Sequence, residues 1–335
     1  MELYETRSLL GRTESVLYVC FQFCHGHNTR WFTLCRKPDQ TLSKKRKKNK
    51  SSGYVLAAVP VPNSPLAHST TFVVVGSNIY NIGGSIWNEP LSKVSILDCR
   101  SHRWLEGPSM RVERYWSAAN VLDDKIYVAG GCDDNGPSKW MEVFDPKTQT
   151  WETMLNPLRE RCDNLVSKSA VIDDEICMYG YRCVAYKPKE DRWKALDIGN
   201  LDRGWAESPY YVIDNILYCY SAIYGMRWYD YKVRNWQLLT LKGFKGGFRG
   251  LSRFTGYVHL GSYGGKMAVF WYSYMLSSEE KNIWCAVIAL ERRNNGQVLG
   301  KVETAVEWYD VVLTVPISYM KSCQLFLLLF DARRN

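Results

Sequence analysis

Histidine is scarce: His25, His27, His68, His102 and His259 are the whole set in a chain of 335 residues. Long apolar runs are lacking too. Leu325–Phe330 ends against Asp331, and no run approaches the ~20 residues that span a bilayer as a helix. Near the N-terminus, Glu2, Glu5 and Arg7 interrupt any signal-peptide core. These absences argue against a multi-histidine metal centre, a membrane span and export by the usual route. No nucleophile elbow or paired-carboxylate motif is present. Gly264-Gly265-Lys266-Met267 lacks the upstream glycine and following Ser/Thr of a phosphate loop. The expectation is a protein that is not an enzyme and has no cofactor.

An excess of one charge is nearly missing outside a single tract. The formal net charge is +9, and Lys44, Lys45, Arg46, Lys47, Lys48 and Lys50 carry six of those charges, leaving +3 for the rest. A broadly basic nucleic-acid surface is therefore not expected. The tract itself has two readings, a nuclear import signal or a solvated linker. The eleven cysteines are odd in number and irregularly spaced, which fits a reducing compartment, cytoplasm and/or nucleus, better than a disulfide framework. Cys20, Cys24, His25, His27 and Cys35 invite a zinc reading. Their spacing lacks paired C-x-x-C form, so no metal site is expected.

Aromatics are abundant, 14% of residues with 13 Trp and 22 Tyr, and rings favour pleated, half-buried surfaces. They are arranged in repeats. Val74–Gly84 and Val121–Gly131 share one template, a β-branched strand, a tight turn, a second strand and a glycine pair, Gly83-Gly84 or Gly130-Gly131. Asp173–Tyr181 and Val212–Tyr220 follow it more loosely, with Gly180-Tyr181 and Ser221-Ala222 in place of the pair. Each is a hairpin signal. Further on, Leu97-Asp98, Phe144-Asp145, Tyr186-Lys187 and Tyr229-Asp230 each precede a tryptophan, Trp104, Trp151, Trp193 or Trp236. These four lie 47, 42 and 43 residues apart. Four short strands at such a period predict a β-propeller, because one blade cannot bury both faces alone. A tryptophan fixed between blades would bury roughly 150–250 Å², or about 4–6 kcal/mol before entropy is subtracted. The glycine pairs supply φ > 0 and close backbone approach.

Glycine pair, acidic or aromatic pair and closing tryptophan together resemble the kelch repeat. Met110–Trp151, with Arg114, Lys125–Cys132 and Trp140–Asp145, resembles the plant F-box/kelch-repeat family. So do Gly264-Gly265-Lys266, Trp284-Cys285-Ala286, Leu290–Arg293 and Gly300–Glu303. Leu3–Leu10 is similar to the last piece of an F-box, the helical module that docks on the Skp-type adaptor of an SCF ubiquitin ligase. The resemblance implies an all-β kelch-type propeller of five to six four-stranded blades, with a short N-terminal helical remnant. Residues 1–14 read as that remnant, 15–37 as strands completing the propeller and 38–53 as a disordered basic linker. Residues 54–320 read as the propeller and 321–335 as a tail. Most of an F-box would precede Leu3, so the adaptor-docking helices are expected to be missing.

The implied function is a protein-interaction module, similar to the substrate-recognition propeller of an SCF-type E3 adaptor. The alternative is a stand-alone kelch scaffold or binding protein without ligase recruitment. The expected partner is a protein target, joined by a Skp-type adaptor only if a complete F-box exists; neither membrane nor nucleic acid is expected. Contact candidates are Trp87, Arg114, Arg161, Trp205 and Tyr224, in loops near one mouth of the ring. For the arginines a second reading stays open, that each holds neighbouring backbone carbonyls. Gly83, Gly84, Gly130, Gly131, Trp104, Trp151, Trp193 and Trp236 are expected to be structural.

Overall fold

The computed structural model describes residues 16–22, 29–36, 54–65, 70–132, 139–158, 160, 162, 166, 168–180, 183–196, 209–242, 258–274, 280–292, 298–302, 310–316 and 325–330. The predicted F-box remnant and basic linker lie outside them. The described strands build six blades, the upper of the two expected numbers. Blade one combines Val16–Gln22, Thr29–Arg36 and Tyr54–Val59 with Leu325–Phe330 from the far end of the chain. Blade two holds Thr71–Val75, Asn78–Ile82, Val94–Asp98 and Arg103–Gly107. Blade three holds Ala118–Leu122, Lys125–Ala129, Met141–Asp145 and Thr150–Met154. Blade four holds Lys168–Ile172, Glu175–Tyr179, Val184–Lys187 and Arg192–Ala195. Blade five holds Tyr210–Ile213, Ile216–Ser221, Gly225–Asp230 and Asn235–Leu238.

Blade six is larger. Val258–Tyr263, Lys266–Tyr274, Glu280–Arg292 and Val298–Val302 are antiparallel, and Thr240–Lys242 lies parallel along the outer edge. Asp310–Pro316 pairs with the first part of Glu280–Arg292. The innermost strands touch in a closed circle, from Leu325–Phe330 through Thr71–Val75, Ala118–Leu122, Lys168–Ile172, Tyr210–Ile213 and Val258–Tyr263 back to Leu325–Phe330. Leu325–Phe330, within the stretch read as a tail, is thus an inner strand. It pairs in register with Val16–Phe21 and covers an edge that would otherwise present unpaired backbone groups.

The core consists of apolar seams between blades. Strand residues alternate between two seams, as period-2 geometry requires. Ile126 and Val128 of blade three pack with Tyr80, Ile82 and Val94 of blade two. Tyr127 and Ala129 pack with Ile176, Met178 and Tyr186 of blade four. Blade six meets blade one through Ala268, Phe270 and Val287 against Leu17, Val19 and Leu34, closing the ring. Trp104, Trp151, Trp193 and Trp236 each pack toward the preceding blade. Each also stands directly opposite the first member of its dipeptide, Leu97, Phe144, Tyr186 or Tyr229.

Candidate interaction surface

Strand connectivity gives the ring two unlike faces. Turns joining the first two and last two strands of a blade lie on one, here the hairpin face. Loops joining the middle strands, and those passing between blades, lie on the other, the loop face.

On the hairpin face, aspartates cap their own turns. Asp98, Asp145 and Asp230 accept hydrogen bonds from the backbone N–H of Arg100 (3.0 Å), Lys147 (2.9 Å) and Lys232 (2.9 Å). The Lys147 bond, the largest influence on Asp145, holds that carboxyl below its ordinary range. Blade four has Lys187 at the matching place and turns instead through a 3-10 helix, Pro188–Glu190. Neighbouring charges neutralise one another: Lys189 reaches Asp174 at 3.0 Å and Asp123 at 3.7 Å, and Lys147 reaches Asp124 at 3.4 Å.

The loop face shows apolar rings to solvent. Trp87 is 88% exposed at the tip of a hairpin joining Ser85–Ile86 to Glu89–Pro90. Trp116, between blades two and three, is 56% exposed. Across the ring, Ile223 and Tyr224 of blade five are 83% and 62% exposed. Their backbone N–H groups donate to Ser221 Oγ at 3.3 and 3.4 Å, and the Arg227 guanidinium lies 4.9 Å from the Tyr224 ring.

Arg114 departs from the contact reading. It is completely buried, with its guanidinium turned onto backbone carbonyls and not to solvent. Its Nη1 donates to the carbonyls of Gly130 (2.8 Å) and Trp140 (2.9 Å), and its Nε and Nη2 donate to Glu142 Oε2 at 3.2 and 3.1 Å. Glu142, equally buried, also accepts from the backbone N–H of Arg111 (2.9 Å) and Val112 (3.3 Å). The Arg114 backbone accepts from Gly84 N–H and donates to the Leu91 carbonyl. Arg114 thereby ties the loop that carries Trp116 to blade three through its side chain and to the Trp87 hairpin through its backbone. Close backbone approach explains the glycines beside it. A Cβ on Gly83 would sit 2.6 Å from the Arg114 carbonyl oxygen, and one on Gly131 would collide with that of Tyr115.

Arg161 and Trp205 lie outside the described residues. Ile86, Trp116, Glu142 and Ile223 escaped the sequence reading. Two of them carry a signal: Trp116 stands off the repeat register of the core tryptophans, and Glu142 is a carboxylate flanked by Met141 and Val143 in the middle of a strand.

Among the described residues, histidines and thiols do not converge on one site. His259 Nε2 is enclosed with no hydrogen-bond partner, and burial drives its pKa down to about 4. His102 Nε2 lies 3.1 Å from the Tyr18 hydroxyl. Burial raises the Cys99 and Cys177 thiols to about 12, leaving them protonated. Among the described residues no three His, Cys, Asp or Glu side chains are grouped to hold a metal ion, and no helix is long and apolar enough to cross a membrane.

Comparison with known proteins agrees with this architecture. A family model described as FKB95, Kelch-repeats domain, matches residues 31–313. The chain is 51% identical over 333 residues to F-box/kelch-repeat protein At4g39550 of Arabidopsis thaliana, covering 95% of this chain and 82% of that protein. It is 46% identical over 322 residues to F-box/kelch-repeat protein At4g39580 (95% and 81%), and 48% over 330 residues to F-box/kelch-repeat protein At5g51250 (94% and 86%), both also from Arabidopsis thaliana.

Proposed function

Since the chain belongs to the F-box/kelch-repeat proteins with an FKB95-type kelch domain, we propose that its propeller recognises target proteins for an SCF-type ubiquitin ligase. The target docks on the loop face. The observation that carries this is that the most exposed aromatic rings among the described residues, Trp87, Tyr224 and Trp116, all lie on the loop face, while on the hairpin face Lys189 and Lys147 pair with neighbouring aspartates. Exposed aromatics on loops held by a rigid frame are typical binding hot spots. The relatives are named F-box proteins, which supports the ligase part of the proposal, and a Skp-type adaptor is the second partner on this reading. Cytoplasm or nucleus is the compartment it proposes.

The test is co-expression of the full chain with a Skp-type adaptor, followed by capture and a ubiquitylation assay on co-purified targets. Adaptor capture with target modification is the expected result. Target binding without adaptor capture would remove the ligase role and leave a stand-alone binding propeller.

A further inference from the structure

We draw no further inference here: the strongest candidate, the exposed rings of Trp87 and Trp116 on the loop face, is an apolar patch for which nothing in the structure shows what covers it.

Discussion

At the scale of single residues, the Arg114–Glu142 pair decides how the loop face is held. Removing a charge from water is unfavourable unless its hydrogen-bonding capacity is filled. Here the guanidinium spans a carboxylate and backbone carbonyls, while the carboxylate also collects two backbone N–H groups. Arg114→Ala should therefore destabilise the protein by about 3–5 kcal/mol, because Glu142 is left buried and unpaired. Arg114→Lys should recover little, since one ammonium cannot replace a planar fork reaching several acceptors. Urea denaturation measures both; a lysine variant within about 0.5 kcal/mol of wild type would contradict the account. From sequence, Arg114 stands at a repeat-encoded place before a strand, where holding backbone carbonyls is the favoured role and gripping a partner the other. Burial decides between them, and burial depends on loops from two blades meeting, which linear spacing does not contain.

At the scale of elements, hairpins were the legible part. Val121–Gly131 announces two strands and a tight turn through local chemistry alone, and the chain folds there as Ala118–Leu122 paired with Lys125–Ala129. The dipeptides before Trp104, Trp151, Trp193 and Trp236 were equally readable, because cross-strand partners at a turn lie a fixed number of residues apart. Blade six was harder. Its edge is covered by Thr240–Lys242, a parallel strand from the connection leaving blade five, and parallel pairing leaves no hairpin signature. Glycines separate two effects that sequence merges. Gly225 and Gly131 have similar φ, +75° and +70°, yet a Cβ on Gly225 meets nothing within 4 Å. A Cβ on Gly131 strikes the Tyr115 carbonyl and lies 2.9 Å from Ser117 N. Gly225→Ala should then lose only left-handed strain, about 1–2 kcal/mol. Gly131→Ala should lose about 3 kcal/mol or more, because the junction of blades two and three must also move apart. Equal losses in parallel denaturation curves would show that contact at Gly131 adds nothing to its backbone conformation.

For the whole molecule, the consequence of a ring is that its ends must meet. Blade one takes three strands from the start of the chain and one from its end, and Leu325–Phe330 contributes six register pairs with Val16–Phe21. From sequence, the early strands fall at a closure while the last segment reads as a tail. An apolar run of six next to a charged terminus carries no repeat signal, and its partner lies some three hundred residues away. Closure also governs cooperativity, since each apolar seam is shared by two blades and opening one exposes both of its walls. A chain shortened to remove Leu325–Phe330 should uncover the edge of Val16–Gln22. Backbone pairing alone makes that loss about 3–6 kcal/mol, at roughly 0.5–1 kcal/mol net for each position. An uncovered, apolar edge strand also recruits other chains. Size-exclusion chromatography should therefore show higher oligomers, and thermal melting should broaden or split as blades one and six separate from the rest. If the shortened protein instead ran as a monomer and melted in one transition at the wild-type midpoint, the ring would be held by its apolar seams without the shared blade, and closure would be a consequence of stability and not its source.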